Sequence, residues 1–321
     1  MRRPGIVPRW LIFSLFIGLV FSQAAAHEGV RQRPLAGDPI DPKESFQLLV
    51  LSGAGGHFHT LLLFPDLTNL FAGTHLGLFR SEDRGRSWRL AASRFSGEDV
   101  HALARDPRNG ILYAATHRQG LLLSRDGGRR WSDQTHGLPG RDLHALTLDP
   151  RRPRILYVWV KGQGLFRSDN GASRWRRVTG PEVLTGVESL AVHPGESDRL
   201  YAGTAKGVWV SEDGGQSWHR PNDGLPYRVA GVSIPPWRTD LLFAATLEGA
   251  FVGKADGTGW RQLPSHPSWW GLMISFAFLA HRPEVIFGVT HEGVVAARRI
   301  TGGEWVPVAE LPDLNGNLSR K

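Results

Sequence analysis

Ser81-Glu82-Asp83-Arg84-Gly85-Arg86-Ser87-Trp88 is one of three octapeptides of the form Ser-x-Asp-x-Gly-x-x-Trp; the others are Ser124–Trp131 (SRDGGRRW) and Ser211–Trp218 (SEDGGQSW). The pattern has a local physical meaning. The Ser and Asp side chains bond to the backbone of their own turn, Gly supplies a positive φ, and Trp packs beneath the turn. A looser copy, Ser168–Trp175 (SDNGASRW), carries Asn170 and Ala172 where the strict copies carry Asp and Gly, and eroded copies end at Trp260 and Trp305. Ser81, Asp83, Gly85 and Trp88 are therefore read as scaffold, as are Ser124, Asp126, Gly128 and Trp131 and also Ser211, Asp213, Gly215 and Trp218. None of these acids is a catalytic candidate.

Working outward, Trp88, Trp131, Trp175, Trp218, Trp260 and Trp305 recur at a period of about 43 residues, the range of propeller blades. Ahead of each turn stands an apolar run: Leu70–Thr74, Ile111–Thr116, Ile155–Val160, Leu200–Thr204, Leu241–Thr246 and Val285–Thr290. A Gly-containing turn and a further strand follow each run. An earlier strand opens each unit, as in His101–Arg105, His144–Leu148 and Glu188–Val192. Four strands per unit and six units in a ring predict an all-β, six-bladed β-propeller of four-stranded blades with Asp-box turns. The propeller domain is expected over residues 46–312, with the repeats at about 55–310 and a tail at 313–321. Phe46–Leu51 (FQLLVL) reads as a strand without a blade of its own, one that could add an outer strand or help close the ring.

These turns resemble the Asp-box (BNR-type) repeat propellers. That broad group includes sialidases, xyloglucanases, sortilin-like receptors and photosystem II assembly factors, so the resemblance implies the fold and leaves the function open. A sialidase would need three arginines for a carboxylate, a Tyr nucleophile with a Glu partner, an acidic Asp and an Arg-Ile-Pro motif. The last is not evident. Tyr113, Tyr157 and Tyr201 share one repeat position and read as packing, which leaves Tyr227, beside Arg228. Any other glycosidase needs two carboxylates flanking the bond. The loops offer Glu98, Asp99, Asp142, Glu188, Glu248 and Glu292; Glu188, Asp99 and Asp142 are the weak catalytic candidates.

The N-terminus reads as an export signal. Met1–Arg9 is basic, Trp10–Phe21 is uncharged and apolar, and Ser22–Ala26 places alanines for cleavage after Ala26. The apolar run of about 12 residues is short for a membrane span of about 20, so a membrane association is expected only through an uncleaved signal. Residues 27–45 form a polar linker. A periplasmic or secreted protein follows. There is no cysteine, which excludes disulfides, thiolate metal sites and thiol nucleophiles. The net charge is +8, but three of the arginines fall in the signal and the rest are spread through every repeat. A nucleic-acid surface concentrates its charge, so no nucleic-acid partner is expected.

The histidines follow the repeat. His59, His101 and His144 share one position at the start of the first strand, taken by Glu188 in the fourth unit. His75, His117 and His291 share another, in the turn between the second and third strands. Strand alternation puts both positions on one face, in the adjacent units 6, 1, 2 and 3. His57, Asp99 and Asp142 each stand two residues before a histidine, and residues i and i+2 of a strand point to one side. A carboxylate so placed can orient an imidazole that holds a metal. His59, His101, His144, His75, His117, His291, Glu188 and His57 are thus the candidate metal ligands, with copper or zinc as the candidate ions. The bland alternative is one structural histidine copied by duplication. His136, His193, His219, His266 and His281 are read as structural; cleavage would leave His27 at the N-terminus, where amine and ring nitrogen can chelate copper, although the polar linker around it argues against a built site. Trp269 and Trp270, with Tyr227 and Arg228, form the candidate surface for a protein or carbohydrate partner on the same face. The expected role is a monomeric, non-catalytic binding or assembly module; the rival is a glycosidase-type hydrolase.

Overall fold

Each repeat folds into one antiparallel sheet because apolar runs alternate with turn residues at short intervals. The computed structural model describes residues 57–307, apart from 66–67, 181, 222–223, 226, 265–272, 279–282 and 292–294. Blade 1 comprises β1 (Phe58–Leu63), β2 (Leu70–Thr74), β3 (Gly77–Ser81) and β4 (Arg89–Leu90); blade 2 comprises β5 (Val100–Arg105), β6 (Leu112–Thr116), β7 (Leu121–Ser124) and β8 (Ser132–Asp133). Blade 3 holds β9 (Leu143–Leu148), β10 (Leu156–Val160), β11 (Gly164–Ser168) and β12 (Arg176–Thr179); blade 4 holds β13 (Val187–Val192), β14 (Leu200–Thr204) and β15 (Gly207–Ser211). Blade 5 holds β16 (Val229–Ser233), β17 (Leu241–Thr246), β18 (Gly249–Lys254) and β19 (Arg261–Gln262), and blade 6 holds β20 (Met273–Phe278), β21 (Val285–Thr290), β22 (Val295–Arg299) and β23 (Gly302–Pro307). The fourth strand of blade 4 is reduced to a single bridge between Val210 and His219, with Pro221 two residues on, unable to donate to a ladder.

The second strands are continuous apolar runs because both of their faces are covered: every residue of β2, β6, β10 and β14 is buried. Apolar clusters lie between neighbouring blades. One joins Phe71 and Leu78 of blade 1 to Leu112, Leu122 and Trp131 of blade 2. Another joins Phe58 and Leu70 of blade 1 to Ile274 and Phe287 of blade 6, closing the ring. The innermost strands β1, β5, β9, β13, β16 and β20 touch in sequence and back to the first. They surround a cavity of about 340 Å³ whose lining includes His59, His101 and Glu188. The seam between blades 6 and 1 carries a backbone hydrogen bond from Phe58 N to His291 O, 3.0 Å.

The Asp-box turns work as local brackets. Ser124 Oγ donates to Asp126 Oδ1 (2.9 Å) and accepts from Gly128 N (2.8 Å); Asp126 Oδ1 also accepts from Arg130 N (2.9 Å), and Trp131 Nε1 donates to Gly128 O (3.0 Å). The same bonds recur around Ser81, Asp83, Gly85 and Trp88, and around Ser211, Asp213, Gly215 and Trp218. In blade 3, Asn170 Oδ1 replaces the carboxylate and Ala172 is forced to φ 69°, a left-handed conformation that disfavours a Cβ.

Two sequence expectations need correction. The second strands of blades 2 and 3 begin at Leu112 and Leu156, one residue after the apolar runs, because Ile111 and Ile155 close the preceding turns onto Asp106 and Asp149. The first strands begin one residue earlier than expected, at Val100, Leu143 and Val187. The histidines consequently sit at the second strand position, and that position is a β-bulge. Register shifts fall between Phe58 and Thr60, Val100 and Ala102, Val187 and Ser189, Val229 and Gly231, and Met273 and Ser275; in blade 3, Leu143 and Ala145 face consecutive residues of β10. The extra residues are His59, His101, His144, Glu188, Ala230 and Ile274. The signal, the linker, Phe46–Leu51, Trp269, Trp270, His266, His281 and Glu292 lie outside the described residues.

Candidate metal centre

One backbone contact in each of blades 1 to 4 explains why the two histidine positions meet. The turn between the second and third strands donates its N–H to the carbonyl of the residue just before the first strand: His75 to His57 (3.1 Å), His117 to Asp99 (2.9 Å), Lys161 to Asp142 (2.9 Å) and Ala205 to Gly186 (3.1 Å). The bulge then turns the side chain at the next position but one toward that turn, as bulges commonly re-aim side chains. Blade by blade, three positions converge at one rim of the channel.

In each of blades 6, 1, 2 and 3 at least one of those positions carries an imidazole. The rings of His57 and His291 stack at 4.0 Å between centroids, His57 and His75 meet edge-on at 5.7 Å, His59 and His75 at 4.3 Å, His59 and His101 at 4.9 Å, and His101 stacks on His144 at 4.4 Å. Two groups within this row have metal-ligand spacing. In the first, His59, His75 and Asp99 each offer a ligand atom, and these lie within 4.8 Å of one another; in the second, His101, His117, Asp142 and His144 do the same. Asp99 Oδ2 is 2.8 Å from His75 Nδ1, Asp99 Oδ1 is 2.9 Å from His59 Nε2, and the two imidazole nitrogens are 3.2 Å apart. Asp142 Oδ1 is 2.8 Å from His117 Nδ1 and 3.1 Å from His144 Nε2. A tetrahedral ion with bonds of about 2.0–2.1 Å has ligand edges of roughly 3.3 Å, so these separations are slightly contracted edges of such a site.

The donor chemistry fits as well. Imidazole nitrogen with carboxylate oxygen and no thiolate suits zinc or copper(II). Each group also contains a buried ligand atom without a hydrogen bond: Asp99 Oδ1, which meets His59 off the bonding angle, and His144 Nε2. Buried polar atoms are nearly always satisfied, and an unmet one needs a physical reason. Protonation favours binding too. Burial holds His101 neutral, its pKa lowered to about 3 against the opposing pull of Asp99, and burial likewise lowers His144 against Asp142. Burial tends to raise the Asp99 and Asp142 carboxyls. Interactions with His59, His101 and His75 in one case and with His117 and His144 in the other outweigh it, so both remain ionised. Neutral imidazole beside ionised carboxylate is the ligand-ready state. His75 and His117 are more than two-fifths exposed, leaving the groups open toward solvent.

The strand-based pairing of each Asp with the histidine two residues on holds only in part. Asp142 is 3.1 Å from His144, but Asp99 is 3.8 Å from His101 and makes its short contacts with His59 and His75 of the preceding blade. The bulge between the two positions breaks simple alternation. Glu188 belongs to neither group. Its Oε1 accepts from Arg228 Nη2 at 2.7 Å and Nε at 3.1 Å. Tyr227, next to Arg228, is exposed and stands 5.6 Å from the Phe251 ring. His291 lies at the seam against His57. Lys161, unnoticed in the sequence, occupies the repeat position of His75 and His117 and pairs through Nζ with Asp142 Oδ2 at 3.5 Å, leaving Oδ1 to the histidines. The residues that directly follow Thr74, Thr116 and Val160 align it with His75 and His117.

The hydrolase candidates have other partners. Glu98 is buried and accepts from the backbone N–H of Arg118 and Gln119. Tyr113, Tyr157 and Tyr201 are buried, and Tyr201 Oη donates to Ala255 O of the next blade. His193 is structural: Nε2 meets Thr239 O at 2.9 Å and Nδ1 accepts from Gly195 N.

Comparison with known proteins places this architecture. The family model for "Sortilin, neurotensin receptor 3" matches residues 119–225. No curated protein sequence matches the chain. Among solved structures, the GH74 xyloglucanase from Xanthomonas campestris is similar at a TM-score of 0.60 and 19% identity, over 82% of this chain and 47% of the enzyme. The extracellular domain assigned to a hybrid two component system of B. thetaiotaomicron is similar at a TM-score of 0.58 and 15% identity, over 83% of this chain and 36% of that one. An ancestral GH74 enzyme gives a TM-score of 0.55 at 16% identity, over 85% of this chain and 40% of its own. This chain thus spans less than half the length of each. At such identities the likeness concerns the fold, and enzymes and non-enzymes share it. The six blades, their Asp-box turns, the sortilin-type match over residues 119–225 and these neighbours agree on a β-propeller similar to the Asp-box (BNR-type) repeat group.

Proposed function

We propose that this protein is a non-catalytic binding module that holds a transition-metal ion, zinc or copper, on the histidine-bearing rim of the propeller. The carrying observation is the convergence of His101, His117, His144 and Asp142, from two adjacent blades, within 4.8 Å. Three imidazoles and one carboxylate complete a four-coordinate set. The ion, with Tyr227 and Arg228 on the same rim, would face a protein or carbohydrate partner. Export fits this role: the signal-like N-terminus points to it, and two of the similar folds are described as extracellular domains.

A glycosidase reading is less well supported by the same residues. A general acid must keep its proton near neutrality, whereas Asp99 and Asp142 are held ionised by histidines and Glu188 is paired with Arg228. The test is metal content by mass spectrometry on untagged protein, beside a His117→Ala/His144→Ala variant. Stoichiometric zinc or copper that disappears in the variant supports the reading. A metal-free protein that takes up neither ion on titration overturns it.

A further inference from the structure

Resting on that reading, we infer that the rim holds two metal ions side by side, the second in the group formed by His59, His75 and Asp99, so that the centre is dinuclear. The repeat places the same ligand types twice. Each group is built at the junction of adjacent elements of the ring from the same repeat positions: a bulged imidazole of an innermost strand, an imidazole of the turn between second and third strands, and a carboxylate just before the next innermost strand. His59, His75 and Asp99 supply these at the junction of blades 1 and 2; at the junction of blades 2 and 3, His101, His117 and Asp142 do so, with His144 added. The contacts match: turn imidazole to carboxylate is 2.8 Å in both. Each group also has its own unsatisfied buried ligand atom, Asp99 Oδ1 in one and His144 Nε2 in the other.

The two groups are close enough to act together. Asp99 Oδ2 lies 3.8 Å from His101 Nε2, a member of the other group. With metal–ligand bonds of about 2 Å, ions bound through those two atoms lie within roughly 8 Å of each other. The row stops at blade 3 for a visible reason. Lys161 takes the turn position and caps Asp142 Oδ2, and at the next junctions Ala205 and the Glu188–Arg228 pair replace the set. The first group offers three protein ligands and the second four, so the first keeps an open position toward solvent on the side of the exposed His75. An outside donor, from water or a partner, completes it.

The test titrates metal-stripped protein with Zn(II) and with Cu(II), reading stoichiometry by native mass spectrometry and, for copper, spin coupling by electron paramagnetic resonance. The expected result is two ions per chain, with the copper-loaded protein showing dipolar broadening and a half-field line. His75→Ala and His117→Ala, both turn substitutions at exposed positions, should each bind one ion and give an uncoupled copper spectrum; circular dichroism checks that each is folded. A single ion in the parent protein overturns the inference and leaves the proposed function standing. No ion at all overturns both. Two ions with uncoupled spins, or a second ion retained in His75→Ala, places that ion elsewhere and overturns the dinuclear assignment.

Discussion

Asp99 takes its shortest hydrogen bond from His75 of the preceding blade, 2.8 Å between Oδ2 and Nδ1, and stands 3.8 Å from His101 on its own strand. The carboxylate therefore ties blade 2 to blade 1. Asp99→Asn removes the charge while keeping the shape. Because these groups are partly exposed, metal-free stability should fall by about 1 kcal/mol or less. Zinc should stabilise the variant less than the parent: a tenfold loss of affinity at one site lowers ligand-linked stabilisation by about 1.4 kcal/mol. Thermal melts with and without zinc check this, and an undiminished zinc shift would remove Asp99 from the ligand set.

Acid should weaken the fold through Asp149. Its buried carboxylate accepts from the backbone N–H of Arg151 at 2.9 Å and from Arg152 Nε at 2.9 Å. Burial works to raise its pKa, but hydrogen bonds from Ser197, Arg152 and the backbone outweigh it, and the net direction is down. A folded pKa below the unfolded value means stability that is fully present above about 3.8 and is lost as pH falls through the folded value. At pH 7, Asp149→Asn should be less stable by about 1–3 kcal/mol. Urea melts across pH should show that gap closing below about pH 3.8.

The opposite rim should be indifferent to metal. Gly128 has φ 86°, and a Cβ there would lie 2.3 Å from Phe71 Cζ of blade 1. Gly128→Ala combines left-handed strain with overpacking and should cost about 2 kcal/mol or more. Ser211→Ala leaves the buried Gly215 N–H without its 2.8 Å acceptor and should cost about 1–3 kcal/mol. Denaturation curves measure both losses. Metal stoichiometry in either variant should match the parent.

Glu188→Gln separates the two readings of function. The Arg228 pair is partly exposed, so its loss should change stability by less than about 1 kcal/mol. The metal count should not move, and parent and variant alike should leave chromogenic glycosides intact. Turnover by the parent that disappears in Glu188→Gln would make the protein a hydrolase.

How legible the fold was depended on locality. Ser-x-Asp-x-Gly-x-x-Trp bonds only within itself, so the turns and their spacing can be read without any tertiary information. The facing of His59, His101 and His144 toward one rim was also readable, because repeats share a register. The bulge at each of those residues was not, since an extra residue in a ladder is defined by the partner strand. That is why Asp99 was paired with His101 and found with His75. Glu188 was a plausible fourth ligand until Arg228, forty residues on, took its carboxylate.

The six bulges turn the channel rim into a set of equivalent sockets. Backbone geometry is common to all of them, while the occupant changes from imidazole at His59, His101 and His144 to carboxylate at Glu188 and to aliphatic groups at Ala230 and Ile274. Scaffold and chemistry are thereby uncoupled. A single codon in each repeat can rewrite what that sector of the ring recognises without disturbing the strands that hold it, so such a ring can diversify its ligands faster than its architecture.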